Sequence, residues 1–285
     1  QTTVSHGLSG MASNGFACVG MLLCVAFGDV DLGIRLARVS IRILDKFQAK
    51  EWVARVYTAA YGFCFPCEIS VKEHLKPFLM SHRAGLGSGD IEFAMLSASH
   101  YTIVALNASV PLPQLLSDMN SFLRLMKLHK QTNMIQFLLP NMQFALNMMG
   151  HSTDPLVLTG EAMIEDQAMN EAVAAQNYAC IALLHCTKLH ISSYFQNYEM
   201  AECSADALAT CKKEGISSFP RYLVAAWQLH EGLAAVALCS QCSRRKMRTT
   251  RRNIKTLRAM SHHDPAVCLN KIFLLEAEVA AVNGK

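Results

Sequence analysis

The chain has 285 residues, of which 52% are hydrophobic and only 17% charged, and its formal net charge at pH 7 is a mild +4. A charged share below about a quarter suits helices buried on more than one side, or a region excised from a larger protein that covers its surfaces. Eleven cysteines, an odd number, are scattered without the spacing of a disulfide scaffold, and most lie in apolar stretches, as Cys18, Cys24, Cys180 and Cys211 do; they behave as small hydrophobes and indicate a reducing, cytoplasmic compartment.

The first apolar run covers residues 15–27 and is broken at Gly28-Asp29-Val30-Asp31. Leu32, Leu36, Val39, Ile43 and Phe47 follow at spacings of four, three, four and four, which is one stripe of a helix. Residues 14–47 therefore read as two antiparallel helices joined by a tight turn. The run is too short to span a bilayer and lacks the basic region that a secretory signal needs before it. A second pair reads as 50–65 and 68–86, with Pro66 as the breaker. Pro77 marks a kink or a new start, because a proline inside a helix costs about 3 kcal/mol. Residues 85–90, Gly-Leu-Gly-Ser-Gly-Asp, end that helix and offer Asp90 as the next N-cap.

The third pair is 91–108 and 113–130, with Leu115, Met119, Phe122 and Met126 as its buried stripe and Pro111 and Pro113 in its turn. Residues 132–150 read as one helix, followed by an irregular connection with Pro155 and an acidic stretch at 160–166. The fifth pair is 176–195 and 198–213 around Gln196-Asn197. The sixth opens near Ser217, with helices over 220–239 and 244–260, and a last helix covers 265–282. No segment alternates with period two between turn residues, so no strand is expected. Units opening near Glu51, Asp90, Thr132, Asn177 and Ser217 give a repeat of about 40 residues, the signature of a stacked helical array in which no unit buries its apolar face alone. The expected fold is all-α, a right-handed α-α superhelix of stacked helical hairpins forming a single array over residues 1–285. Arrays of this kind bind or connect, so the expected role is a non-catalytic scaffold. Gln1 in place of Met, and the Asn283-Gly284-Lys285 end, read as the limits of an excised region.

Several ordered stretches also resemble a known family. They are residues 27–33 (Phe-Gly-Asp-Val-Asp-Leu-Gly), 83–94 (Arg-Ala-Gly-Leu-Gly-Ser-Gly-Asp-Ile-Glu-Phe-Ala), 158–162 (Leu-Thr-Gly-Glu-Ala) and 270–278 (Asn-Lys-Ile-Phe-Leu-Leu-Glu-Ala-Glu). Together they resemble the tetratricopeptide-like region of very large signalling ATPases, in which it follows an AAA-type P-loop module and accompanies kinase and GAF domains elsewhere in the chain. The resemblance implies an intracellular regulatory scaffold that contacts a protein partner or neighbouring domains of the same chain.

Candidate chemistry is sparse. Residues 85–89 are glycine-rich, but a phosphate-cradling loop must follow a strand and open a helix, and no Gly-Lys-Ser/Thr follows. A helix C-cap is the better reading, and no Walker A sequence occurs anywhere. Cys64/Cys67 and Cys239/Cys242 have CxxC spacing. The first straddles a helix end, and the second would need His263 and Cys268 to complete a zinc site across 20 intervening residues; both are read as structural thiols. His230-Glu231 lacks a second His four residues on, and His185 and His190 do not share a helix face. Glu161, Glu165 and Asp166 read as a solvated helix start. No catalytic residue, cofactor, metal or small-molecule substrate is assigned.

The strongest remaining signal is Arg244, Arg245, Lys246, Arg248, Arg251, Arg252 and Lys255, seven cations in twelve residues. This is the candidate partner-binding patch. A solvated helix face is the preferred reading, and nucleic-acid binding, which interleaved aromatics would support, is the alternative. The smaller stripe Arg35, Arg38, Arg42 and Lys46 reads as the solvent side of its helix.

Overall fold

The structure is a computed structural model that describes residues 7–213, 219–241 and 244–284. Among them are thirteen α-helices and no strand: α1 (Ala12–Leu22), α2 (Val30–Phe47), α3 (Val53–Ala59), α4 (Leu75–Ser88), α5 (Ile91–Asn107), α6 (Leu112–Leu128), α7 (Thr132–Met148), α8 (Glu165–Ala174), α9 (Tyr178–Tyr194), α10 (Tyr198–Lys213), α11 (Arg221–Ala237), α12 (Arg244–Ser261) and α13 (Pro265–Val282). The expected all-helical class holds, and helices pack in neighbouring pairs. The opening of the sixth unit at Ser217 lies outside the described residues.

The turns carry the repeat. A residue with left-handed backbone ends one helix and the next begins about two residues later. These residues are Gly28, Gln48, Gly89, Ser109, Lys130, Gln176 and Gln196, with φ between 49° and 81°; Gly150 ends α7 in the same backbone conformation, but α8 begins only at Glu165, after an irregular connection. Several are followed by a polar residue that can cap the next helix: Asp29 accepts from Leu32 N at 3.2 Å, Asn177 from Cys180 N at 3.2 Å and Asn197 from Met200 N at 3.1 Å. An αL residue satisfies the last carbonyls of one helix while the Asp or Asn satisfies the first amides of the next. Asp90 departs from this expectation. It stands at the N-cap position of α5 without a capping bond, because its carboxylate takes Arg55 at 2.7 and 3.3 Å.

The chain divides into two compact units, Gln1–Met134 with Ser218–Arg221, and Ile135–Ser217 with Tyr222–Lys285. In the first unit, α1 and α2 approach glycine to glycine. A Cβ on Gly33 would stand 2.7 Å from the carbonyl oxygen of Gly20 and 2.3 Å from Cys24 Sγ. Helices α3, α4 and α5 meet through small hydroxyls instead of large side chains. Thr58 and Ser97 are 2.7 Å apart, Ser81 and Ser97 2.6 Å, and Ser81 also donates to the Ala54 carbonyl at 2.9 Å. All three are buried. Each hydroxyl has a partner, so the polar contact costs little and lets the backbones come close.

Helix α4 packs most extensively on α5 and less on α3. The sequence pairing of 50–65 with 68–86 therefore captured the lesser of its two contacts. The reason lies in the turns: Gly89-Asp90 is the whole link between α4 and α5, and Gly85 sits against Ala94, where a Cβ would come within 2.8 Å of the alanine Cβ. Between α3 and α4 the chain instead passes through two short 3-10 turns, Phe65–Cys67 and Val71–His74. Pro77 is harmless, because α4 starts at Leu75 and the proline falls in its first turn. Leu115, Met119, Phe122 and Met126 are buried along α6 as the stripe required.

In the second unit, Pro140 lies inside α7, where the sequence reading passed over it. Proline has no N–H, so the carbonyl four residues earlier, that of Gln136, loses its helical donor. The thiol of Cys180 on α9 donates to that oxygen at 3.6 Å, and Asn177 Nδ2 donates to Gln136 Oε1 at 3.0 Å. The irregular connection after α7 is held by three side chains. Asn147 Nδ2 donates to the carbonyls of Pro155 and Val157 at 3.0 and 2.7 Å, Gln143 Oε1 accepts from Ala162 N at 3.0 Å, and Glu165 Oε2 accepts from Leu158 N at 2.6 Å. Glu165 is also clamped by Lys188 Nζ at 2.7 Å to both oxygens. It is thus a structural anchor and not a solvated helix start.

The glycine contact between α1 and α2 gives a direct test. Because backbone blocks any added methyl, Gly33→Ala is expected to destabilise the protein by about 1–3 kcal/mol. Its urea midpoint should fall while its helical circular dichroism signal is kept. An unchanged midpoint refutes the close approach.

Candidate partner-binding surface on the basic helix

Helix α12 carries the basic patch and is amphipathic. Thr250, Asn253, Ile254, Leu257 and Met260 form its buried side. Thr250 Oγ1 donates to the Gly232 carbonyl at 3.2 Å and Asn253 Nδ2 to the Gln228 carbonyl at 3.1 Å, which seats the helix on α11.

The seven cations divide into groups by what faces them. Arg252 pairs with Glu231 at 2.7 Å, and that carboxylate also accepts from Asn253 at 3.0 Å. Lys246 pairs with Glu202 of α10 at 3.2 Å. Arg245 joins Lys246, Glu202, Asp206 and Glu231 around a cavity of about 40 Å3, room for a few waters and not for an organic ligand. Arg248, Arg251 and Lys255 are exposed and stand three and four residues apart on one face, with no ion-pair partner among the described residues. Arg244 opens the helix, but its side chain lies outside the described set.

The neighbouring helix α13 adds a feature that the composition of the basic stretch did not signal. Its inner side, Val267, Cys268, Ile272 and Leu275, is buried. Its outer side is also apolar: Leu269 is 41% exposed, Phe273 62% and Leu274 43%, with Ala266, Ala277 and Ala281 exposed beside them. The two helices form one hairpin, joined across by Arg258 and Glu276 at 2.5 Å.

The other sequence candidates resolve into structure. Residues 85–89 end α4 with Gly89 at φ 81°, a helix C-cap. Of the zinc set, Cys242 lies outside the described residues. Among the described residues, no group of three or more His, Cys, Asp or Glu side chains is arranged to hold a metal ion. None of the ten described cysteines is in a disulfide. Arg38 is not merely solvated, since it pairs with Glu68. No helix among the described residues is long and apolar enough to cross a membrane.

Sequence reasoning missed a cluster of two histidines in the second unit, set between the buried Cys186 and the exposed ring of Tyr194. The rings of His190 and His230 lie 4.5 Å apart, Tyr194 packs edge-on to His230 at 5.2 Å, and Cys186 Sγ is 3.7 Å from His190 Nε2. His190 and His230 are far apart in sequence, and neither has a neighbour that marks it. Burial pushes His190 down to about 4 and His230 well below 6.5, with the Lys271 cation adding to both shifts. In the first unit His100, stacked on Phe78 at 5.4 Å, is held at about 4 by burial alone.

Comparison of the chain with protein-family models, curated proteins and solved structures finds no match.

The buried histidines give the protein a defined acid limit. They stay neutral in the folded state, whereas the unfolded chain takes up protons near pH 6.5, so stability is full above that pH. It is lost as pH falls from 6.5 toward about 4, by about 1.4 kcal/mol per pH unit for each such histidine. Urea unfolding at a series of pH values in that window should show the fall, and His190→Asn should make it shallower. A flat wild-type profile refutes the buried neutral state.

Proposed function

We propose that the chain is a non-catalytic helical-repeat scaffold whose α12–α13 hairpin docks an acidic, amphipathic protein segment. The observation that carries this reading is the pairing of two unused surfaces on adjacent helices: the unpartnered cations Arg248, Arg251 and Lys255, and the apolar outer side around Phe273. Cations confer orientation and encounter rate, while a large exposed aromatic supplies the desolvated anchor that protein interfaces favour. An exposed apolar face of this kind on a soluble repeat marks an interaction site.

The finer reading is a tetratricopeptide-like, right-handed superhelix serving as a relay within a large cytoplasmic signalling ATPase. It rests on the ordered stretches at 27–33, 83–94, 158–162 and 270–278. It is supported by the recurring turn, in which Gly28-Asp29 and Gly89-Asp90 each end one helix and open the next. The buried cysteines support a reducing location. In such a protein, partner segments or neighbouring domains of the same chain would occupy the docking face, and nucleotide chemistry would belong to other modules.

The nucleic-acid alternative draws on the same three cations, which stand about 4.5 and 6 Å apart along the helix. Only the apolar neighbour separates the two readings, because nucleic acid would have no use for it without bases to stack.

A titration distinguishes them. A labelled helical peptide with Leu and Phe on one side and Glu along its flank should bind with micromolar affinity. The triple variant Arg248→Gln, Arg251→Gln, Lys255→Gln should weaken it about tenfold, and Phe273→Asp should abolish it. The triple variant should leave stability within about 1 kcal/mol, since exposed charges contribute little. Single-stranded RNA or duplex DNA bound at micromolar levels, with a salt slope that the triple variant lowers by about one unit per lost contact and no response to Phe273→Asp, would establish the alternative. An ATP analogue should not bind; saturable binding would overturn the non-catalytic reading.

A further inference from the structure

Three cysteines from two helices converge in the first unit. Cys24 lies in a π turn, Leu23–Phe27, that ends the first helix. Cys64 closes the π turn Ala60–Cys64 that follows α3, and Cys67 closes the 3-10 turn after it. All three are buried in one apolar cluster with Val30, Ile34, Ala37, Ala60 and Phe65, at 6%, 0% and 1% exposure. The Cys24 thiol donates to the Val30 carbonyl oxygen at 3.9 Å, and Cys64 and Cys67 pack in the same cluster beside it. Cys64 and Cys67 are three residues apart on consecutive tight turns, and side chains at that spacing nearly eclipse in a 3-10 turn. The turn chemistry thus points two thiols from one helix end at a third on another.

We propose that Cys24, Cys64 and Cys67 form a thiol–disulfide exchange site, at which a low-molecular-weight disulfide such as oxidised glutathione joins Cys24 to one of the CxxC pair. In the first step the Cys24 thiolate attacks one sulfur of oxidised glutathione. The new bond is a mixed disulfide on Cys24, the glutathione S–S bond breaks, and one glutathione leaves as thiolate. In the second, the sulfur of Cys64 or Cys67 attacks the Cys24 sulfur and expels the second glutathione. Two protein thiols have then lost two electrons and two protons, and one oxidised glutathione has become two reduced ones. Cys24 is suited to be the attacking group. Cys64 first and Cys67 second lower the pKa of its thiol, and the same contact together with burial pushes Cys64 upward. Entry is through the π turn itself. It ends at Gly28 in left-handed backbone, and its neighbour Phe27 is 76% exposed, so local fraying uncovers Cys24 without global unfolding. The product staples the end of the first helix to the end of α3, across a loop of about 40 residues. In a reducing compartment such a bond is transient, as befits a sensor and not a scaffold disulfide.

The test uses the whole chain, reduced and then exposed to oxidised glutathione. Intact mass should fall by two hydrogens without retained glutathione at this site. Peptide mapping should find Cys24 linked to Cys64 or Cys67, and dithiothreitol should restore the starting mass. The oxidised form should also unfold at a higher urea concentration than the reduced one. Cys24→Ser should eliminate the internal disulfide while keeping the helical circular dichroism signal, and Cys203→Ser, at an exposed cysteine, should leave it intact. Three results overturn the proposal: glutathione retained only on exposed cysteines such as Cys203; a Cys64–Cys67 disulfide that forms equally fast without Cys24; or a Cys24 disulfide that forms only in urea. The wild-type peptide map decides even if the serine variant fails to fold.

Discussion

The left-handed turn residue is the constraint on which the rest of the fold depends. Helices α5, α6, α7, α9 and α11 are each 17 residues long, about 25 Å, and helices of this size draw most of their stability from tertiary packing. Each must bury a face against its neighbour, and at most of the junctions that neighbour is placed by a turn of two to four residues, the long connection after α7 being the exception. That turn exists only because one residue accepts positive φ and stops the helix. Five of the eight inter-helix positions named above are not glycine: Gln48, Ser109, Lys130, Gln176 and Gln196. A side chain in αL costs about 1 kcal/mol, a strain offset by the packing it makes available. The interval between successive turns is what gives the chain its repeat.

Close approach of helices is the second consequence. Short turns force neighbouring backbones together, and the sequence answers with small residues where they touch: Gly20 on Gly33, Gly85 on Ala94, and the hydroxyls of Thr58, Ser81 and Ser97. Larger groups such as Phe78, Phe122, Tyr222 and the histidines His82, His100 and His230 are buried away from these contacts. The histidines there must stay neutral, so the same dense packing that stabilises the units at neutral pH makes them sensitive to acid. A residue such as His190 thus reports packing density and needs no catalytic role.

Helix existence was legible because the apolar stripes and breakers are local. The stripe at Leu115, Met119, Phe122 and Met126 and the last helix, Pro265–Val282, follow from spacing; the structure adds Asp264 as the cap of that helix, accepting from Val267 N at 3.1 Å. What was not legible depends on contacts distant in sequence. Pro140 is tolerated because Cys180, forty residues on, supplies a donor to Gln136. Cys24 joins Cys64 and Cys67 only when the first two hairpins are assembled. Asp90 gives up its cap because Arg55 reaches it. At the candidate surface the count of cations was visible, but which of them are occupied was not, since Glu202 and Glu231 lie on other helices. The exposed apolar side of α13 has the composition of a buried helix, and the sequence alone does not say that one side is left uncovered.

The occupied and unoccupied cations on α12 have different physical jobs. Glu231 has a side chain only 14% exposed, so leaving it without Arg252 and Asn253 would strand a charge in a poorly solvated place; removing Arg252 therefore costs stability, where removing Arg248 does not. The paired residues fix the helix on α10 and α11, and this rigid seat keeps Arg248, Arg251 and Lys255 in register. Exposed cations without partners contribute nothing to folding, and an apolar side such as that of Phe273 is a liability in water. Their coexistence on one hairpin that is otherwise carefully paired is difficult to reconcile with a purely structural helix. The docking of an acidic, amphipathic segment proposed above would supply both the acid and the apolar cover.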